Sequence, residues 1–404
     1  MTRLSKEFRE MSNVKIWNQL WQPVHSSLDA IMDETNANYY SKHFFGQHHL
    51  KALVPFQLTD GQSLEDLHQS LSDNLHFKTL THCPPISKSQ LSRANAKRPL
   101  EAFEQVFLNL AQQLPRSSKL PKSLQELIDH TRIFDGTFLP LHPTHCPWAI
   151  YRNQFRQPDA GLRMTLRLNL KTYAPDQIFI HPYRDNSANY FSNCINFDQK
   201  GYLYLFDREF NHHQTFQRLC DSENFFITRM KERACYEILQ TRSTPKRTRC
   251  DLKILKDQTI CLGKKVEHRI PAILRRIEAQ DAEGNVIVFL TNLLTFAAST
   301  LAQLYRFRWK IETFFKWIKQ HLKIKRFIAY SMRGILLQIY SALILYLLLV
   351  LFRINHQISL SLFNVLRKLK NRMNTISPIV VLKFKLLEPS LALVKQSLMP
   401  LPYF

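Results

Sequence analysis

Tyr305-Arg306-Phe307-Arg308-Trp309-Lys310-Ile311-Glu312-Thr313-Phe314-Phe315-Lys316-Trp317-Ile318-Lys319-Gln320-His321-Leu322-Lys323 contains neither Gly nor Pro. The stretch reads as one long helix. At ~100° per residue, Tyr305, Arg308, Glu312 and Lys319 fall within roughly 60° of one another. Lys316 and Lys323 lie on or beside that face. Phe307, Ile311, Phe314, Phe315, Ile318 and Leu322 form an apolar stripe on the opposite side, which must pack on something. One carboxylate among several bases and a tyrosine suits a metal ion and a polyanion together: Glu312 as ligand to a hard cation, the bases along phosphates. The competing reading is an ordinary amphipathic helix with an Arg308–Glu312 i,i+4 pair. Against it stands the spacing Tyr-x2-Arg-x3-Glu-x6-Lys, which average residue usage produces in roughly one such chain in a few hundred.

Composition points the same way. The chain has 404 residues, enough for two or three domains, and a net charge of +23. From Leu301 onward there are 17 Lys and Arg against 2 Asp and Glu. Charge this large and this localised argues for an anionic partner, most simply nucleic acid. The seven cysteines are odd in number and scattered, with no Cys-x-x-Cys, and the chain does not start with a secretory signal. A reduced, cytoplasmic protein is the expectation.

Residues 1–125 read as helices with short connections. Ser63 stands before apolar residues at helical intervals (Leu64, Leu67, Leu71, Leu75), and Pro99 opens another helix. Arg93, Lys97 and Arg98 make a basic entry to that second helix and are candidate DNA contacts. From residue 131 the pattern changes to strands. Thr131–Pro140 carries Asp135, followed by Gly136 and Thr137. Strands are expected at Leu162–Leu170 and Gln177–Tyr183. Tyr202–Phe206 is an apolar run ending in Asp207, the pattern of a buried strand with a carboxylate at its tip. A helix around Thr215–Leu219 and a strand at Phe225–Lys231 follow. This order suits an α/β domain with a mixed sheet. Residues 232–292 read as a β-rich insertion, with strands expected at Leu252–Leu255, Gln258–Leu262, Val266–Ile270, Ala272–Ile277 and Val286–Leu290. The insertion contains the basic loop Pro245–Arg249.

Gly334–Phe352 is long and apolar enough to span a bilayer. Gln338, Ser341 and two internal tyrosines favour a helix buried against the sheet, and no membrane association is expected. Residues 355–404 read as a basic tail.

Tyr305, Arg308, Glu312 and Lys319 resemble the Tyr-Arg-Glu-Lys signature of the DDE transposases of bacterial insertion sequences, in the group named for insertion sequence four. Asp135-Gly136-Thr137 and Phe206-Asp207-Arg208 are similar to the regions of that family's two aspartates. The segment Ser92–Arg98 looks like a part of its N-terminal region. The resemblance implies a ribonuclease H-like catalytic core in two parts, 126–231 and 293–354, with a helical DNA-binding domain before it. It also implies that Asp135, Asp207 and Glu312 are catalytic and hold Mg²⁺, with Mn²⁺ tolerated. Tyr305, Arg308 and Lys319 would hold phosphates. The implied partners are duplex DNA ending in inverted repeats, target DNA, and a second copy of the chain on paired ends. In some relatives an aromatic residue of the insertion stacks on a flipped base; none of the five Trp lies in residues 232–292, and Tyr236 is the residue the resemblance leaves for that part. The rivals are a nuclease on the same fold, a DNA-binding protein without catalysis and a one-span membrane protein.

Overall fold

The structure, a computed structural model, describes residues 13–116, 125–152, 155, 157–183, 190–244, 252–263 and 269–374. The Pro245–Arg249 loop, most of the expected Val266–Ile270 strand and the end of the basic tail lie outside these residues. The chain divides into two compact units. One comprises Leu120–Pro143 and Trp148–Thr313; the other comprises Met1–Lys119, Thr144–Pro147 and Phe314–Phe404. The division falls inside one helix, between Thr313 and Phe314.

The first unit is built on a ten-stranded mixed sheet. Its strands are β1 (Thr131–Leu141), β2 (Ile150–Arg152), β3 (Pro158–Asn169), β4 (Ala174–Pro182), β5 (Leu203–Phe206), β6 (Phe225–Arg229), β7 (Tyr236–Thr241), β8 (Lys253–Leu262), β9 (Ile273–Gln280) and β10 (Val286–Thr291). The order across the sheet is β2-β3-β1-β5-β6-β10-β9-β8-β7, and β4 also pairs with β3. β1, β5 and β6 run parallel, and the other pairs are antiparallel. β5 has a strand on each side and all four of its residues are buried, hence its unbroken apolar sequence. The β5–β6 crossover carries a helix (His213–Asp221) that buries Thr215, Phe216 and Leu219. The segment 232–292 does not stand apart as a separate layer: β10 pairs with β6, and β9, β8 and β7 continue the same sheet. Two strands expected in 252–262 are one strand, β8, with a bulge between Ile254 and Lys256.

Alternation along the strands sorts their side chains between two faces. Phe134, Tyr204, Phe206, Phe226 and Leu290 join Phe191, Phe210 and Phe216 in one aromatic core. Residues one step away, including Asp135 and Asp207, therefore point to the other face.

The second unit is helical. Its helices begin with α1 (Asn13–His25), α2 (Leu28–Glu34), α3 (Gly46–Phe56), α4 (Leu64–Ser72), α5 (Leu75–Thr81), α6 (Lys88–Lys97) and α7 (Leu100–Gln112). Ser63 caps α4 as its sequence suggested, accepting from the Asp66 N–H at 3.1 Å. The long apolar segment is one helix, α12 (Met332–Asn355), whose most apolar 18-residue window is 89% buried. The helices α1, α3, α6, α7 and α13 (Leu362–Asn374) pack around it. It serves as the core of this helical unit, where the sequence had suggested a helix laid on the sheet. Gln338, the polar oddity in that segment, is 1% exposed. Its amide donates to the Lys323 and Arg326 carbonyls and accepts from the Ile328 N–H, at 2.7, 2.8 and 2.9 Å.

Candidate active site

The parallel pairing of β1 and β5 sets Thr131 against Leu203, Arg132 against Tyr204 and Ile133 against Leu205. Two residues further along each strand come Asp135 and Asp207, level with one another and on the same face. Each carboxylate is oriented the same way. Asp135 Oδ1 accepts from the Gly136 N–H at 2.9 Å, and Asp207 Oδ1 from the Arg208 N–H at 2.8 Å. Gly136 sits in tight quarters, where a Cβ would come 3.2 Å from Arg163 Nη1 and 3.3 Å from the Phe210 ring.

The stretch read as one helix is two. Helix α10 (Ala298–Arg306) carries Tyr305, and α11 (Trp309–His321) carries Glu312 in its first turn. Between them the backbone tightens to i→i−3 bonds, Arg308 N–H to the Tyr305 carbonyl at 3.0 Å and Ile311 N–H to the Arg308 carbonyl at 3.1 Å. Nothing in the local sequence forces this break. It accompanies the burial of Arg308 among acids that are remote in sequence. The Arg308 side chain is 4% exposed; it donates to Glu312 at 2.5 Å and lies 4.0 Å from Asp135 Oδ2. Burial by itself would weaken the hold of the guanidinium on its proton. Tyr305, Glu312, Asp207 and Asp135 outweigh that, and its pKa is raised.

Asp135 is the most perturbed acid of the site. Burial pushes its pKa up from 3.8 to about 7; Arg308 and the Gly136 N–H oppose the shift, and Glu312 and Asp207 add to it. Tyr305 is buried, its ring 5.2 Å from that of Phe289 and its hydroxyl directed to the Phe206 carbonyl at 3.5 Å. Burial raises its pKa as well. Tyr305 and Arg308 thus face inward toward the aspartates. Helix α10 packs on β6 and β8. The loop before it is pinned by the buried pair Arg275–Asp257, 2.6 Å, with Arg275 also donating to the Phe296 carbonyl at 2.5 Å.

All-oxygen ligands suit a hard divalent ion, and Asp135 and Asp207 each keep one oxygen beyond the amide-bonded one. Among the described residues, no three His, Cys, Asp or Glu side chains stand close enough as placed to hold a metal. Glu312 is drawn to Arg308, and the guanidinium is the cation now set beside the acids.

The other expected contacts divide into two kinds. Lys316, Arg93 and Lys97 are exposed, and Lys319 is half-buried. Lys323 is turned into the helical unit, over the Phe56 ring at 4.1 Å, donating to Thr59 Oγ1 at 3.2 Å and to the Gly61 carbonyl. Burial lowers its pKa to about 8. Arg98 is 7% exposed and bonds the Ala37 carbonyl, Ser41 Oγ and the Phe44 carbonyl at 2.5, 2.9 and 2.7 Å. Both are internal clamps, because their charges are satisfied by backbone and hydroxyl oxygens and not left to a ligand. Tyr236 is half-buried with Arg276 over its ring at 5.3 Å, whereas Trp309, beside Arg308, is 68% exposed. Sequence reasoning passed over Arg229 and Lys231, which with Arg208 line a cleft of about 180 Å³ beyond the ends of β5 and β6. Their signal was available: basic residues directly after two parallel strands.

Residues 128–348 match the family described as Transposase DDE domain. The chain belongs to the DDE transposase family. The y4zB protein of Sinorhizobium fredii, which carries a transposase name, is 31% identical over 267 residues, 66% of this chain and 72% of that protein. A protein of insertion sequence element IS5377 from Geobacillus stearothermophilus, also named as a transposase, is 26% identical, covering 59% of this chain and 58% of its own length. One of insertion sequence element IS4SA from Synechocystis is 24% identical, over 70% and 77%. The piggyBac transposase, solved by cryo-EM as a synaptic complex with hairpin DNA, superposes with a TM-score of 0.43 at 10% identity, covering 91% of this chain and 81% of that one. Members of the DDE transposase family act on DNA phosphodiesters, and this chain is such an enzyme.

Proposed function

We propose that this DDE transposase cleaves DNA at the ends of an insertion sequence and joins those ends to target DNA, on a ribonuclease H-like core. The observation that carries the reading is the level placement of Asp135 and Asp207 on one sheet face, with Arg308 reaching from them to Glu312. Asp135, Asp207 and Glu312 would hold divalent ions, Mg²⁺ by preference and Mn²⁺ as a substitute. When bound, such ions lower the pKa of an attacking water or 3′-hydroxyl and stabilise the leaving oxygen. Deprotonated Asp135 would supply one ligand, and the N–H groups of Gly136 and Arg208 keep both aspartates aimed. Arg308 holds Glu312 beside the aspartates and balances their charge. Tyr305, directed at the Phe206 carbonyl, positions the end of β5 and hence Asp207.

Lys316, Lys319, Arg93 and Lys97 would contact phosphates, which position a strand without reading its bases. The partners in this reading are duplex DNA with terminal inverted repeats, target DNA and a second copy of the chain on paired ends. A cytoplasmic, nucleoid-associated protein follows from that substrate.

Strand transfer with purified protein and end DNA tests the reading. Asp135→Asn, Asp207→Asn and Glu312→Gln should each keep end binding and lose both cleavage and joining. Cleavage without joining by the unaltered protein would favour a nuclease. Full cleavage by any of the three variants would remove that residue from the site.

A further inference from the structure

The helical unit holds a second place suited to nucleic acid. Between α2, the loop that follows it and α6 lies an open cleft of about 900 Å³, within the size range of sites that take ligands the size of a nucleotide. Tyr39 and Tyr40 line it, 70% and 91% exposed, with ring centroids 4.1 Å apart. Two adjacent open rings present a contiguous aromatic surface, unlike single exposed apolar side chains, which are ordinary. Lys42, Arg93 and Lys97 are exposed around it, and no residue lining it is acidic.

The backbone that presents the rings is both strained and firmly held. Tyr40 has φ +59° and Asn36 has φ +52°. A bulky residue in the left-handed region is a conformation the surroundings must impose. They do so here. Arg98 ties together the Ala37 and Phe44 carbonyls and the Ser41 hydroxyl from beneath the loop. Asn38 Oδ1 accepts from the Gly46 N–H at 2.7 Å. Tyr39 and Ser41 close i→i−3 turns on Asn36 and Asn38. A side chain held out in this way costs little further ordering when something stacks on it.

We infer that this cleft binds an unpaired nucleotide of a DNA strand. The base stacks on the Tyr39–Tyr40 pair, and Lys42, Arg93 and Lys97 take the flanking phosphates. Bases inside a duplex have both faces covered by their neighbours, so exposed aromatic rings select unstacked ones. The basic rim fits DNA and the aromatic pair fits its unpaired portion, the state of a strand at a frayed or opened end. The inference rests on the DNA-binding reading above and adds to it a site for single-stranded structure remote in sequence from Asp135, Asp207 and Glu312.

The test is a fluorescence anisotropy titration of the full-length protein with two labelled probes, a 20-nucleotide oligothymidine strand and a 20-base-pair blunt duplex of mixed sequence. Tyr40→Gly removes the ring and relieves the positive φ, so it folds at least as readily as the parent. It should weaken binding to the single strand roughly tenfold and leave the duplex within about twofold. Tyr40→Trp should keep single-strand binding within about twofold of the parent. An unchanged single-strand affinity in Tyr40→Gly, or an equal loss on the duplex, overturns the inference. Duplex binding by the parent with none to the single strand does so as well and spares the DNA-binding reading. Binding to neither probe would remove both.

Discussion

Asp135 lies 4.0 Å from the Arg308 guanidinium and yet holds its proton to about pH 7, because burial outweighs the nearby positive charge. The acid is thus set in a place that favours its neutral form. An acid whose folded pKa exceeds its unfolded value favours the fold at low pH and costs stability as pH rises toward the folded value. Between about pH 4 and pH 7, with no divalent ion present, ionisation of Asp135 should erode stability. Asp135→Asn should therefore be more stable than the parent at pH 8, by about 4 kcal/mol, and about equal at pH 4. Urea unfolding at the two pH values checks this. A less stable variant at pH 8 would contradict it.

Lys97 and Arg98 are neighbours with opposite surroundings. Arg98→Ala leaves the Ala37 and Phe44 carbonyls without their donor and should cost about 3 kcal/mol, read as a lower thermal midpoint. Lys97→Ala should leave the midpoint unchanged and make DNA binding less dependent on salt by about one unit of slope.

Lys319 and Lys323 should separate in the same manner. Lys319→Ala weakens binding to end DNA with a shallower salt slope. Lys323→Ala acts on stability, since that amine bridges Thr59 and Gly61 within the helical unit. Thermal unfolding and binding at two salt concentrations distinguish them.

Gln338→Leu fits the apolar character of α12 but removes three hydrogen bonds to the segment 323–328, one of them fully buried. It should destabilise the protein by about 3 kcal/mol. A variant as stable as the parent would show that Gln338 does not secure that segment.

Much of this arrangement could be read beforehand where burial leaves a pattern. Leu203–Phe206 is apolar throughout because strands flank it on both sides, and the acid at its end stood out for that reason. Strand β7 left no such trace: from Glu237 to Thr241 its side chains are all exposed, so no alternation marks it. The break before Trp309 was also hidden. Arg308 is drawn inward by Asp135, about 170 positions earlier, and no Gly or Pro announces it. Helix α12 was legible as buried from its uniform apolarity, but such a helix offers no preferred side and so does not name what covers it. Arg98 and Lys323 looked like surface bases because the carbonyls they satisfy belong to loops far away along the chain.

In the proposed function, Asp135, Asp207 and Glu312 are ligands of the same divalent ions during DNA cleavage. A change of metal preference tests it most directly. A thiolate is a poor ligand for Mg²⁺ and a better one for softer ions. Asp207→Cys should fail to cleave end DNA in Mg²⁺ and recover cleavage in Mn²⁺, while Asp207→Ala stays inactive in both. Cleavage by Asp207→Cys in Mg²⁺ at the parent's rate, or no more recovery in Mn²⁺ than Asp207→Ala shows, would contradict the account.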